Sequence, residues 1–359
     1  MAKVLLGMSG GIDSSVALKI LIEQGHEVTG LTMDLFNREA IFGTGSDDKF
    51  DEDVKTAKAV ADEFGIRHIV VEFRAAFKHD VINPFIVTYL DGETPNPCVF
   101  CNKTIKFGKL LDFALDRGFE YVATGHYAQT VRDEQTGRIL LKKSNDEKKD
   151  QTYFLYGLSQ RQLSHSLFPL GDKNKEEVRK TAAALGFSNA DKKDSQDICF
   201  VKDEKYGEFI EKFSDRRIPY GNFISKDGAV LGEHKGIVNY TIGQRKGLGI
   251  ALGKPLFVLE KNTRDNTIVL GDNDDLMSKE LIVKNLNWII SEELKESVNV
   301  GCKTRSTQNC KNASVTPLAS NSAGVVFKEP QRAFASGQSA VFYIGDIVAG
   351  GGVITDRHF

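Results

Sequence analysis

The chain has 359 residues, more than one average domain holds, so two or three domains are expected. Its 41% hydrophobic and 27% charged residues exclude a disordered or fibrous protein, and no apolar run reaches the roughly 18 residues that a membrane helix needs. A net charge of −2 excludes a uniformly basic nucleic-acid binder; RNA would have to be held by local clusters of Lys and Arg.

Val4-Leu5-Leu6 is a short apolar run that stops at Gly7 with no cleavage site after it. It therefore reads as a first strand rather than a signal peptide, and a cytoplasmic location is expected. In residues 14–24, Val16, Ala17, Ile20 and Leu21 recur at helical spacing, and 28–33 reads as a second strand. Residues 51–64 carry Val54, Ala57, Val60, Ala61 and Phe64 on one helical face. A third strand is expected at 68–71, a helix at 107–115 and another strand at 121–124. This alternation predicts an α/β domain with a mostly parallel sheet covered by helices. Residues 132–149 read as a hairpin with a charged tip.

After about Phe200 the pattern changes. Residues 202–218 are charged and helical in spacing, whereas 222–224, 254–259 and 267–270 are short strand-like runs between Gly, Asp and Asn turns. From 278 onward helical periodicity fades, and runs such as 324–327 and 339–343 predict a small β-barrel or sandwich.

The segment Ser9-Gly10-Gly11-Ile12-Asp13-Ser14-Ser15 lies between the first strand and the first helix. Paired glycines let backbone N–H groups approach phosphate oxygens, and the helix start adds its positive end. The serines can donate hydroxyl hydrogen bonds, while Asp13 can hold Mg²⁺ or position pyrophosphate. The Lys of the common P-loop is missing. A tight turn that only caps a helix would not need this density of glycine and serine. Met33 ends the second strand and Gly125-His126 follow a later one, so three motifs meet at the carboxyl edge where such sheets bind ligands.

At these residues the chain resembles the ATP-pyrophosphatase superfamily, which has an adenine nucleotide alpha hydrolase-like fold and whose members adenylate a substrate. Thr94-Pro95-Asn96-Pro97-Cys98-Val99-Phe100-Cys101-Asn102-Lys103, Ala123-Thr124-Gly125-His126-Tyr127, Lys149-Asp150-Gln151-Thr152-Tyr153 and Ser195-Gln196-Asp197-Ile198-Cys199-Phe200 are similar to the tRNA-specific 2-thiouridylases. So are Gly243-Gln244-Arg245-Lys246-Gly247 and the stretch from Ser336-Gly337-Gln338 to Gly350-Gly351-Gly352. The resemblance implies a catalytic domain at 1–203, a central domain at 204–274 and a C-terminal β-barrel at 275–359. It implies ATP-dependent formation of 2-thiouridine at the wobble position of tRNAs reading Lys, Glu and Gln codons. Gly7, Met8, Ser9, Gly10, Gly11, Ile12, Asp13, Ser14, Met33 and Gly125 are then expected to bind ATP. His126, Lys149, Asp150, Gln151, Arg305, Ser306 and Gln338 are expected to lie against tRNA, with Asn96, Pro97 and Cys98 around the target base.

Five cysteines (Cys98, Cys101, Cys199, Cys302 and Cys310) in a chain of this size are expected to be buried, catalytic or metal-binding rather than a disulfide scaffold. By resemblance, Cys101 and Cys199 are the catalytic pair. Cys199 would carry a persulfide received from a cysteine desulfurase or relay protein, and Cys101 would release its terminal sulfur or end in a disulfide with Cys199. Members of the family usually have Asp where this chain has Cys98, so a general acid or base there is lost. Cys98, Cys101 and Cys199 together also match the three ligands with which related enzymes hold a [4Fe-4S] cluster. The persulfide and cluster routes both stay open. A zinc site would need a fourth ligand, for which His126 is the candidate. Cys302 and Cys310 read as ordinary thiols.

Lys142, Lys143, Lys148 and Lys149, then Arg216-Arg217, then Arg245-Lys246 form basic clusters that could contact tRNA phosphates or simply be solvated. Two other functions compete. An amide-forming synthetase of the same superfamily would leave Cys101 and Cys199 without a use, and an RNA-binding protein with a decayed nucleotide domain would not keep residues 9–15 intact.

Overall fold

The computed structural model describes residues 1–43, 47–187, 198–201, 205–214, 216–250 and 253–356. Of the motif at 195–200, residues 195–197 lie outside the described residues, as do residues 202–204 and 215 of the stretch expected to be helical at 202–218.

In the first part of the chain the strands are β1 (Lys3–Gly7), β2 (Glu27–Asp34), β3 (His68–Glu72), β4 (Tyr121–Ala123), β5 (Gln129–Arg132), β6 (Ile139–Lys142) and β7 (Ser166–Leu167). Five form a parallel sheet in the order β3-β2-β1-β4-β7. Val4, Leu5 and Leu6 are all fully buried because helices cover both faces, which is why the run shows no alternation. The chain winds outward from β1 to β3 and then returns to β4 on the other side of β1. The crevice beyond the carboxyl ends of β1 and β4 is therefore the switch point at which such sheets bind ligands.

The helix expected at 107–115 is longer and differently wound. One continuous helical run spans 97–115: α-helix at Pro97–Phe100, π-helix at Cys101–Lys109, then α-helix at Leu110–Leu115. Proline at its first position suits a helix start, and both Cys98 and Cys101 lie on it. Sequence spacing missed this because a wide π turn breaks the 3.6-residue period.

The central domain begins with the helix Tyr206–Ser214 and adds β8 (Gly221–Ile224), β9 (Val230–His234), β10 (Phe257–Asn262) and β11 (Thr267–Gly271) in the order β10-β11-β8-β9. Its Phe209, Ile210 and Phe223 share one core with Phe77 and Phe85 of the first domain, joined through Phe200.

The C-terminal strands are β12 (Met277–Trp288), β13 (Val298–Lys303), β14 (Lys311–Leu318), β15 (Ser322–Arg332), β16 (Ser339–Ile344) and β17 (Ile347–Asp356). They pair in the order β12-β15-β14-β13-β16-β17, and β17 returns to β12, closing a six-stranded barrel. The hairpin β5–β6 leaves the first domain and pairs with β17 at Ile347 opposite Lys142. Gly351 lets that joint close: a Cβ there would stand 2.6 Å from the Ala340 carbonyl and 2.7 Å from the Tyr156 ring.

Candidate active site

The loop after β1 is shaped by Gly10. Its φ of +69° is a left-handed conformation, and a Cβ there would lie 2.6 Å from the Asp53 carbonyl oxygen, so no other residue fits. The helix Ile12–Glu23 starts directly after Gly11, and among the described residues no side chain caps it. Its first-turn amides, with their share of the helix dipole, are left for an anion. Ser9 is exposed. The hydroxyls of Ser14 and Ser15 instead turn inward and donate to the Gly11 carbonyl at 3.0 and 3.2 Å, so they brace the loop.

Gly125 follows β4 and faces the same loop; a Cβ there would come within 3.0 Å of the Asp13 carbonyl carbon and the Ser14 amide nitrogen. Met33 is half-buried at the carboxyl end of β2, and the Met8 carbonyl accepts the Thr32 hydroxyl at 2.9 Å. Gly7, Met8 and Ile12 supply backbone at the crevice while the Met8 and Ile12 side chains enter the core. The sequence motifs at the strand ends thus meet in one crevice.

Asp13 is held from two sides. Lys175 Nζ lies 2.8 Å from both carboxylate oxygens, and the Tyr127 hydroxyl donates to Oδ1 at 2.9 Å. Lys175 is the first residue of the helix Lys175–Ala184, behind the Asn174 capping box, and its side chain is buried. The sequence pattern did not point to Lys175, and Tyr127 stood only at the end of the motif at 123–127 with no role expected of it. A weak signal was present: a lysine in a helix's first turn opposes the helix dipole, a cost that a nearby anion offsets.

The second half of the site is a thiol pocket. Cys98 lies in the turn that opens the helical run, Cys101 begins its π segment, and Cys199 sits in a turn. All three are free thiols. Cys98 and Cys199 reach the surface, yet the protein packed around them still outweighs hydration. Burial pushes the Cys199 thiol up to about 12, with Cys101 and Cys98 adding to the rise, and Cys101 up to about 11, with a smaller addition from Cys98. Cys98 is raised by the same cause. Charges that feel each other in this way place the three sulfurs in one neighbourhood. The opposing influence on each is Lys106, half-buried one π turn beyond Cys101. Burial, assisted by Lys106, holds the His126 imidazole neutral, and its Nδ1 lies 2.7 Å from the Thr124 hydroxyl. Among the described residues no group of three or more His, Cys, Asp or Glu could hold a metal ion.

The remaining expected tRNA contacts are spread over both domains. Asn96 is half-buried and Pro97 buried at the start of the helical run. Gln151 is engaged internally: its side-chain oxygen accepts the Tyr127 amide at 2.9 Å, which fixes the chain after His126. Asp150 accepts the Thr152 hydroxyl at 2.7 Å, and burial raises its pKa. Lys149 is half-buried. Arg305 and Ser306 are exposed in the loop after β13, with the Arg305 guanidinium donating to the Ala333 carbonyl at 2.7 Å. The Gln338 amide donates to the carbonyls of Thr94 and Pro95 at 2.9 and 3.2 Å. Of the basic clusters, Lys143 turns to the barrel, where its ammonium meets the Gly345 carbonyl and Asp346.

Three domain families match in the order of these units: a tRNA methyl transferase HUP domain over residues 2–203, a tRNA methyl transferase PRC-barrel domain over 207–272 and an aminomethyltransferase beta-barrel domain over 278–354. A tRNA-specific 2-thiouridylase MnmA of Clostridioides difficile is 49% identical over 352 residues, covering 98% of both chains. The chain belongs to the tRNA-specific 2-thiouridylase family. A second member, from Acetivibrio thermocellus, is 48% identical over 359 residues, covering 98% of this chain and 99% of its own. One of two members from Clostridium tetani is 49% identical over 354 residues and 98% of each chain. Like these 2-thiouridylases, the chain is an enzyme of that family.

Proposed function

We propose that this enzyme uses ATP to activate O2 of a tRNA uridine and replaces that oxygen with sulfur delivered through Cys199. The observation that carries the reading is the thiol pocket of Cys98, Cys101 and Cys199 in the same domain as the loop at Ser9–Ser15. A methyl transfer, which the domain descriptions mention, would have no need of three gathered thiols; a sulfur transfer does.

The first step makes a leaving group. Uridine O2 attacks the α-phosphorus of ATP, a P–O bond forms, and pyrophosphate departs into the crevice lined by Ser9, Gly11 and the helix start. Lys175 supplies a fixed positive charge where the loop itself has none, and Asp13 and Tyr127 hold it in place. Both Asp13 oxygens are engaged by that ammonium, so Asp13 does not fit the task of a Mg²⁺ ligand.

In the second step the terminal sulfur of a Cys199 persulfide attacks C2, and AMP leaves with the former O2. Cys101 gives up its thiol proton to solvent and attacks Cys199 Sγ; the persulfide S–S bond breaks, its electron pair leaves with the transferred sulfur, and a Cys101–Cys199 disulfide forms. A dithiol reductant restores both thiols. The persulfide course is favoured over a [4Fe-4S] cluster because, among the described residues, no group of three or more His, Cys, Asp or Glu is placed to hold a metal ion. The base must leave the anticodon stack to reach the pocket. The substrates are tRNAs of the Lys, Glu and Gln type, the sulfur donor is a desulfurase or relay protein, and the reaction belongs in the cytoplasm.

Two measurements test this. Pyrophosphate release should require tRNA, persist in Cys199→Ser, and yield no 2-thiouridine in that variant; release without tRNA sinks the proposal. Anaerobically purified, fully active enzyme should carry no stoichiometric iron or sulfide; finding both, lost in Cys98→Ala, would replace the persulfide course with a cluster.

A further inference from the structure

The segment that leads into the cysteine helix is held by both accessory domains at once. Residues 92–95 form a short connection between the helix Asn83–Leu90 and Pro97–Phe100. From the barrel, the Gln338 amide donates to the Thr94 and Pro95 carbonyls at 2.9 and 3.2 Å, and the Thr94 amide donates to the Ser336 carbonyl at 2.8 Å. Gly337 lies between these contacts with φ +87°; a Cβ there would stand 2.9 Å from the Thr94 amide nitrogen and carbonyl oxygen. From the central sheet, Thr263 Cγ2 would lie 2.8 Å from a Cβ on Gly92. The half-buried Lys261 of β10 interacts electrostatically with Glu93 and donates to the Tyr240 carbonyl at 3.0 Å.

We infer that Gln338 is a positioning residue: by fixing the carbonyls of Thr94 and Pro95, it sets where Cys98 and Cys101 stand relative to the nucleotide crevice. The proposal rests on the sulfur-transfer reading for its consequence in catalysis, though not for its geometry. A contact with tRNA, the role that family resemblance implies for Gln338, is the competing assignment. The physical case is that the side-chain donors are already spent within the protein. Two neutral hydrogen bonds order a segment one residue before the helix, and Pro95 and Pro97 transmit the placement because each fixes its own φ. Displacement of reacting groups by about 1 Å costs up to about 100-fold in rate.

The test uses full-length Gln338→Met, which keeps the length and removes the donor, with Gly337→Ala as a second variant that pushes the barrel hairpin away from Thr94. Three quantities are read: kcat for thiolation, Kd for tRNA, and the rate at which iodoacetamide modifies Cys101 without tRNA or ATP. Positioning predicts that kcat falls about 10-fold or more, that tRNA affinity stays within about two-fold, and that Cys101 modification changes at least about three-fold. A Kd that rises in step with lost activity, with Cys101 modification unchanged, overturns it in favour of a tRNA contact. If wild-type enzyme makes no 2-thiouridine, the functional reading fails, and the Cys101 measurement still decides the positioning. Should Gly337→Ala not fold, Gln338→Met decides it alone.

Discussion

Lys175, from the first turn of a helix late in the catalytic domain, places its ammonium 2.8 Å from both carboxylate oxygens of Asp13 in the loop after β1. The pair joins the two ends of that domain across the crevice at the switch point. It also puts a buried cation beside a loop that lacks the usual P-loop lysine.

Lys175→Met is expected to lower kcat/KM for ATP by at least about 100-fold. It removes a fixed charge from the path of departing pyrophosphate and leaves Asp13 facing the phosphates unpaired. Isothermal titration with ATP and a pyrophosphate-release assay would check this. An ATP affinity and rate equal to wild type would show that the pair only braces the fold.

Thiol titration gives a second prediction. With Cys101 raised to about 11 and Cys199 to about 12, both are protonated in the resting enzyme at pH 7. Iodoacetamide should therefore modify them slowly, with a rate that climbs until well above pH 10. Lys106 opposes the rise in both, so Lys106→Met should move each profile to higher pH, while Lys106→Arg leaves it near wild type. Profiles that stay put in Lys106→Met would remove Lys106 from the pocket's electrostatics.

The same shifts set the sign of a stability effect. A thiol whose folded pKa lies above its unfolded value, roughly 8.5, favours the folded state below that value. That advantage is lost as pH rises toward about 11 to 12. The urea midpoint should fall between pH 9 and 11, and a Cys101→Ser, Cys199→Ser double variant should fall less steeply. An equal slope in both proteins would contradict the assignment.

Two glycines separate strain from collision. Gly25→Ala meets no atom within 4 Å and pays only for its positive φ, so a loss of about 1 kcal/mol with normal activity is expected. Gly10→Ala has a similar φ but drives a Cβ to 2.6 Å from the Asp53 carbonyl, so it should lose ATP binding as well. Chemical denaturation with ATP titration distinguishes them.

The barrel joint is a final target. Asn287 donates to the carbonyls of Tyr156 and Leu158 at 2.7 and 3.0 Å. Asn287→Ala leaves both without that donor and is expected to destabilise the protein by about 1 to 3 kcal/mol. Limited proteolysis should then cut between the barrel and the catalytic domain sooner than in wild type. An unchanged digestion pattern would mean that the packing of Gly351 on Tyr156 holds the joint without it.

Local chemistry makes much of this molecule legible from its sequence. An apolar run ending at a glycine marked β1, residues 28–33 marked β2, helical spacing marked Ile12–Glu23, and the glycine and serine content of residues 9–15 marked an anion site. These depend on periods of two and 3.6 residues and on backbone freedom, which neighbouring residues dictate. The π turn at Cys101–Lys109 was hidden because its register follows from packing rather than spacing. Lys175 with Asp13, Lys106 beside three thiols and Gln338 on Thr94 were hidden for a deeper reason. Their partners, Cys199 in the case of Lys106, lie far away in the chain, and only the closing of sheet, central domain and barrel brings them together. The sequence by itself determined which chemical groups are present and on which kinds of element. The tertiary structure alone decided which of them share charge and hydrogen bonds, because these interactions fall off over distances far shorter than the chain that separates the partners.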